Sequence, residues 1–459
     1  MDRRGWWLLG AILAVGLALR IAGAQGGLWL DEAWSALQAH DAGTPLGIFL
    51  NINHDNNHHL NSLWLQFVGI AAPSPVQRGL SIVTSTLSIL IAAQIGARRG
   101  TGVALVTAAL FAVSPAMVTM GSEARGYAPM MLALLLAILL IDRWLAGEAE
   151  RSPATALALC FFLGALSQLT ILFGFLAVAG WVFFALWKRD GFKPAFLATL
   201  KLFAPSLIAF ALVFAILAAG AAQGGGFKFG NYDPFTWLQF LHGVSELIEY
   251  TLGFPVVSVF WLVLVPALVI LAPSAGVARL GFHRLAILGF PLTLALLHSG
   301  NVAHPRYYLL VGIALLILLG EMLWREFAAG GWRRWAAAAA FVTILAGSLA
   351  QDIDLAINRR GDTSAAIRAM QARAPAGAEL LIDRDTARAA LEVGATQAGY
   401  RLEIRKQVCA PARFLLADRF KGEDPPETVE RCGRHYRPIV AMRAHGLSGT
   451  HWTLYEHTP

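Results

Sequence analysis

Charge is scarce in this chain: only 14% of its 459 residues are Asp, Glu, Lys or Arg, against 57% hydrophobic residues and a mean hydropathy of +0.58. A soluble core has no use for so little charge, so the composition points to a polytopic membrane protein. Cysteine is scarcer still, with three residues, which excludes a disulfide scaffold. Cys160 sits inside an apolar run, whereas Cys409 and Cys432 share a polar tail and can pair if that tail lies outside the cytoplasm. No P-loop, G-x-G-x-x-G, G-x-S-x-G or zinc frame occurs, which argues against nucleotide-driven and serine-hydrolase chemistry. Internal repeats are missing as well. The net charge of +7 would suggest nucleic acid in a soluble protein; here the basic residues gather in short loops between apolar runs, and no nucleic-acid partner is expected.

What the chain has in quantity is apolar runs of spanning length. They lie near 6–24, 78–97, 101–120, 127–145, 154–168, 170–187, 196–219, 254–272, 284–299, 307–323 and 335–350, about eleven spans. The first, behind Arg3 and Arg4, resembles a signal peptide but is read as a retained span because so many like it follow. The segment 58–73 is short, carries Asn61, Ser62 and Gln66, and runs into Pro73. Laying it in the membrane plane puts Arg3/Arg4, Arg98/Arg99, Arg143/Arg151, Lys188/Arg189/Lys193, Arg279/Arg284 and Arg325/Arg333/Arg334 on one side, the cytoplasmic one. Residues 25–77, 220–253 and the tail then fall on the opposite face.

The first outer loop predicts two short helices: one over 31–42, stopped by Gly43, and one opened by Thr44-Pro45. With 60–72 they form a platform of juxtamembrane helices. The stretch 220–253, with Gly224-Gly225-Gly226 and Phe227, Phe229, Tyr232, Trp237 and Phe240, reads either as a lipid-facing loop or as an ordinary connector. The expected fold is therefore mostly α, a polytopic helical membrane domain over 1–350. A small α/β domain follows over 351–459, with helices at 363–373 and 385–398 and strands near 379–383, 401–408, 412–417, 437–443 and 451–456.

Ionisable groups converge on the outer face. Asp31 and Glu32 follow the first span; a carboxylate pair beside hydrocarbon is costly and so marks a candidate site, although Asp31 equally suits a helix cap and Glu32 a first helical turn. His54, Asp55, His58 and His59 have metal-ligand chemistry without a defined metal frame, which leaves a divalent ion open. Arg20, Arg78, Arg125 and Arg306 sit at span ends, where a guanidinium needs an anion, either a lipid phosphate or a neighbouring carboxylate. A lipid phosphate leaves as a stabilised anion, so one carboxylate base plus cations for the phosphate would suffice for transfer.

In order along the chain, Trp29-Leu30-Asp31-Glu32, Asn57-His58-His59-Leu60, Arg78, Glu123-Ala124-Arg125-Gly126-Tyr127 and Arg306-Tyr307-Tyr308-Leu309 resemble the GT-C superfamily of polytopic glycosyltransferases. The likeness is to its bacterial protein O-mannosyltransferase and aminoarabinose transferase-like branch, over about residues 1–350. The resemblance implies inverting transfer of a sugar from a polyprenyl-phosphate donor to an envelope acceptor at the periplasmic face of a bacterial inner membrane. It implies Asp31 as base, Glu32 positioning or assisting it, and Arg78, Arg125, Tyr127, Arg306 and His58 around the donor phosphate; His58 and His59 fall where some members place a metal ligand or a phosphate contact. Two departures stand out: Ser167-Gln168-Leu169-Thr170 replaces a His-Tyr-Thr turn, and His59-Leu60 replaces a Pro-Pro pair. The rival expectation is a transporter or flippase of lipid-linked glycans; no paired, Gly/Pro-broken segments in matching halves support it.

Overall fold

The long apolar runs fold as helices because a chain in hydrocarbon must satisfy its own backbone. The computed structural model describes every residue except 149–150, 229, 231, 255–257, 272–276, 406–408, 421–422 and 459. Among the described residues seven helices are long and apolar enough to cross a membrane: Arg3–Gly23, Gly79–Ala97, Tyr127–Leu145, Ile171–Asp190, Phe192–Gln223, Pro305–Ala329 and Gly331–Gly361. An eighth is a bent pair, Thr101–Val113 and Pro115–Gly121, which meet at 61°. Of the eleven expected runs, 154–168 and 254–272 yield only the shorter helices Ala154–Ser167 and Ser258–Leu271, the latter run lying partly outside the described residues. The run 284–299 is interrupted by a π turn at Leu285–Gly289. The protein is a multi-pass helical membrane protein.

The bend in the third run explains where Arg20 goes. Pro115 has no N–H and the helix breaks before it, so carbonyls near the break lose their partners. Arg20, fully buried in the first helix, donates to the Phe111 and Ala112 carbonyls at 3.1 and 3.0 Å, to the Gly16 carbonyl at 2.9 Å and to Ser85 Oγ at 2.6 Å. It caps a kink and holds no external anion.

The loop after the first helix has the expected platform. Leu30–Asp41 is helical, Thr44 caps Pro45–Leu50 through Gly47 N–H at 3.1 Å, and His59–Val68, at 10 residues, is too short to span. The stretch 220–253 is not a free loop. Gly224 and Gly226 carbonyls accept from the Asn53 amide, the Lys228 backbone pairs with Asn53 and Asp55, and Trp237–Leu252 is a helix with Phe240, Leu247 and Ile248 in the core; Phe229 lies outside the described residues.

The last long helix runs past residue 350, as Gly331–Asn358. Beyond it a mixed sheet has the order β2-β1-β3-β6-β5-β4, with β1 Ala378–Ile382, β2 Leu402–Arg405, β3 Phe414–Arg419, β4 Val429–Arg431, β5 Arg434–Met442 and β6 His451–Thr458. β1 is parallel to both β2 and β3, and the rest pair antiparallel. Helices Ser364–Arg373 and Thr386–Gln397 cover the sheet, with Ile367, Met370 and Leu391 against Leu380, Phe414 and Leu454. Strand β4 was not expected, and 406–408 of the expected 401–408 strand lie outside the described residues. Cys409 and Cys432 form a disulfide.

This domain is docked on the platform. Ala389, Ala390 and Val393 pack with Ala33, Ala36 and Ala39 of the Leu30–Asp41 helix, small side chains that let the two helices approach closely. Asp362 accepts from Gly27 N–H at 2.9 Å, and Thr363 Oγ1 donates to the Leu28 carbonyl at 3.1 Å. At the end of the long helix, Arg360 donates to the Gly23 and Thr119 carbonyls and to Ser122 Oγ, and lies 3.5 Å from Glu123.

Beneath the same helix is a second fixed point. Glu32 and Arg78 are both fully buried, bonded Nε to Oε1 at 2.8 Å and through the second nitrogen to Oε2 at 2.5 Å. Glu32 also accepts from the Trp29 and Ala124 N–H groups at 3.1 and 2.7 Å, while Arg78 spends its remaining donors on the Ala24, Gln25, Gly26 and Gly27 carbonyls. Burial raises the Glu32 pKa, and Arg78 with these hydrogen bonds outweighs it, leaving the group below its ordinary value.

The substitution Arg78→Ala strands a buried carboxylate and is expected to cost about 3–5 kcal/mol, read as thermal unfolding of the purified protein. The double change Glu32→Gln, Arg78→Met is expected to cost less than the single one. Because the Glu32 pKa is lowered on folding, its stabilisation is present above the ordinary 4.5 and is lost only as the pH falls below it; unfolding scans across that range should show wild type alone losing this increment. At Gly253, with φ +77°, an added Cβ would meet Ser348 N at 2.2 Å. Gly253→Ala is therefore expected to destabilise by about 1–3 kcal/mol through backbone strain and forced separation of two helices.

Candidate active site

Asp31 and Glu32 are neighbours on a helix and so point about 100° apart. Glu32 turns inward to Arg78. Asp31 turns outward, a fifth of its side chain exposed, and meets Arg306 at 2.6 Å and Arg125 at 3.6 Å, both through Oδ2. Residues far apart in sequence are thereby brought to one carboxylate: Arg125 comes from the turn before the Tyr127–Leu145 helix, Arg306 from the 3-10 turn Pro305–Tyr308.

The arginines are held by aromatic faces. Arg306 lies over the Trp29 and Tyr307 rings at 5.9 and 5.8 Å, and Arg125 over Tyr127 at 5.9 Å. Asn56 completes the frame: its Oδ1 accepts from Arg125, and its Nδ2 donates to the Asp31 carbonyl at 3.2 Å and to Ser35 Oγ at 3.1 Å. Nε of Arg125 and Nε of Arg306 have no hydrogen-bond partner among the described residues, so both cations retain capacity for an anion.

Burial pushes the Asp31 pKa up, but Arg306, then Arg125, and a hydrogen bond from Arg306 overcome it, so the carboxyl stays below its usual range and is ionised at neutral pH. Glu123, fully buried beside Arg360, goes the other way: burial raises its pKa and Arg360 offsets this only in part. The two carboxylates are thus set apart by environment.

His58 is buried, and desolvation with the adjacent Arg125 pushes its pKa well below 6.5. Its Nδ1 lies 2.8 Å from the Ser167 carbonyl. A carbonyl only accepts, so Nδ1 carries the proton and Nε2 presents a lone pair, a group that accepts a hydroxyl and gives nothing to a phosphate. Gly126 permits this contact, since a Cβ there would lie 1.8 Å from the Ser167 carbonyl and 3.0 Å from His58 Nδ1. The departing Ser167-Gln168 turn therefore forms part of the site wall.

Three sequence expectations need correction. Arg78 does not join the arginines at Asp31, because its donors are spent on Glu32 and four carbonyls. His58 has the wrong hydrogen-bonding sense for a phosphate. The metal set His54, Asp55, His58 and His59 does not assemble: His54 Nδ1 pairs with Asp55 at 2.7 Å, Asp55 accepts from Tyr232 OH at 2.7 Å, His58 faces Ser167, and His59 stacks on Phe49 at 5.1 Å. No group of three or more His, Cys, Asp or Glu converges among the described residues. Burial alone holds His59 at about 4, as suits packing. Sequence reasoning missed Asn56, an uncharged residue between His54-Asp55 and His58-His59, and Arg360, hidden in the Arg359-Arg360-Gly361-Asp362 run after the last span.

No protein-family model and no curated protein matches the chain. Among solved structures, ArnT from Cupriavidus metallidurans in the apo state superposes with a TM-score of 0.54 at 11% identity, covering 99% of this chain and 98% of that one. The same protein bound to undecaprenyl phosphate gives 0.52 at 12% identity with the same coverage. The oligosaccharyltransferase of Archaeoglobus fulgidus, in complex with Zn and sulfate, gives 0.44 at 14% identity over 90% of this chain and 68% of that one. From the first helix to the tail domain, the chain shares the fold of ArnT.

Proposed function

We propose that the protein is a membrane glycosyltransferase that moves a sugar from a polyprenyl-phosphate carrier to a hydroxyl acceptor, with inversion, at the outer face of the membrane. The observation that carries this reading is the meeting of Asp31 with Arg306 and Arg125 at the outer ends of apolar helices. The ArnT neighbour, which holds undecaprenyl phosphate, supports the class of donor, and the basic clusters at the opposite helix ends support the orientation.

In this reading Arg306 and Arg125 take the carrier phosphate and Tyr127 flanks it. Asp31 removes the acceptor proton as the acceptor oxygen bonds to the anomeric carbon; the bond from that carbon to the phosphate oxygen breaks, and its electron pair leaves with the polyprenyl phosphate. The cations stabilise the charge that develops on the leaving group. His58 Nε2 is placed to accept a sugar hydroxyl, and no step requires a metal ligand set.

Arg306 serves two partners in turn. In the resting protein it holds Asp31 as a weak base; an incoming phosphate draws the guanidinium away and adds negative charge nearby, and both effects raise the basicity of Asp31. Donor binding thus readies the base.

Asp31→Asn is expected to lower transfer by at least about 100-fold while leaving undecaprenyl phosphate binding intact; retained turnover would remove Asp31 as base. Arg306→Ala is expected to weaken that binding by about 10–100-fold, the loss of a charge-assisted hydrogen bond. In wild type the acid limb of kcat/KM should lie below the ordinary carboxylate value of 3.8, since Arg306 depresses the free-enzyme pKa, and the limb of kcat should lie at higher pH. Coincident limbs would contradict the handover of Arg306.

A further inference from the structure

Along the Leu30–Asp41 helix lies an open cavity of about 480 Å³, bounded by Trp34, Gln38 and Asp41 on one side and by Asn51, His54 and Lys228 on the other. Its volume falls within the roughly 300–1,000 Å³ of small-molecule sites. The three residues of the first wall belong to the same helix as Asp31, at i+3, i+7 and i+10 from it, so all four lie on one face. The cavity therefore runs along the helix away from the carboxylate.

The second wall is tied to the backbone of Asp31. His54 Nδ1, paired with Asp55, lies 3.1 Å from Asn56 N, and the Asn56 side chain holds both Arg125 and the Asp31 carbonyl. Lys228 is fixed by its backbone, its N–H donating to the Asn53 carbonyl at 2.7 Å and its carbonyl accepting from Asp55 at 3.0 Å. Arg125 and Arg306 are not part of the cavity's lining and come from the turns at 125 and 306.

We infer that this cavity is the acceptor subsite, and that it takes the glycan portion of the acceptor, favouring a sugar with an acidic substituent. This rests on the transfer reading above and names the other substrate for the same base. Asp31 has to meet a hydroxyl from the side not filled by the phosphate cations, and the cavity opens along that helix face. Its lining is of the kind that matches a polyhydroxylated ring: an indole, two carboxamides, an imidazole and a carboxylate offer both donors and acceptors. Lys228, exposed at the rim, supplies the preference for an acid. A peptide fits less well, because the backbone groups of Asn53, Lys228 and Asp55 that would pair with an extended strand are already paired with one another.

The test uses the full-length protein in lipid nanodiscs on an array of neutral, amino and acidic mono- and disaccharides, with undecaprenyl phosphate binding measured in parallel. Saturable binding to a subset of sugars is expected, weakened at least 5-fold by Gln38→Ala and unchanged by Arg306→Ala. Lys228→Glu is expected to weaken the acidic sugars at least 5-fold and leave the neutral ones in place. Sugar binding indifferent to Gln38→Ala and Lys228→Glu, binding of a Ser/Thr-containing peptide in place of sugars, or no sugar binding by a sample that still takes undecaprenyl phosphate would each overturn the subsite while leaving the donor reading standing. Sugar binding that responds as expected in a sample that takes no undecaprenyl phosphate would keep the subsite and sink the donor reading.

Discussion

A buried charge is tolerable only when every one of its hydrogen-bonding positions is answered, and the Glu32–Arg78 pair meets that condition. Arg78 draws together the carbonyls of residues 24 to 27, where the first long helix ends, and Glu32 draws in the N–H of Ala124, next to Arg125. Three separate pieces of chain are thereby fixed around one ion pair. The outward direction of Asp31 and the reach of Arg125 toward it both follow from that fixture.

The two adjacent acids divide the work by direction. One turns into the protein and fixes the scaffold; the other turns out and meets exchangeable cations. Sequence alone sees two carboxylates in a row and has no means of telling them apart, since the difference is a rotation of about 100° on a helix set by what the rest of the chain brings to each face. The same limit applies to the arginines. Arg20, Arg78, Arg125 and Arg306 look alike at span ends, yet the first two are saturated by carbonyls at a helix kink and a helix end, while the last two are left with unanswered nitrogens.

What could be read from the residues was whatever local patterning dictates. Apolar length gave most of the long helices, Thr44-Pro45 gave a helix start, and the residue pattern of the tail gave five of the six strands and both helices of the small domain. What escaped was non-local. The kink before Pro115 needed Arg20 from another helix to be satisfied, the run 220–253 was held by backbone pairing with residues 53 to 55, and the histidines of the 54–59 cluster separated because each found a different partner. Density of ligand-type residues in sequence is no guide to convergence when the chain turns between them. Asn56, with no charge to draw notice, links Arg125 to Asp31 from the middle of that cluster.

The connection made by Arg360 has a temporal side. Its guanidinium seals the hollow around Glu123 and the end of the first helix, 337 residues from the Gly23 carbonyl that it grips. At about 5–20 residues per second, the ribosome finishes the first helix and its acidic loop well before it makes the residue that closes them over. The grip of Arg360 on the end of the first helix can therefore form only after the last long helix has been made.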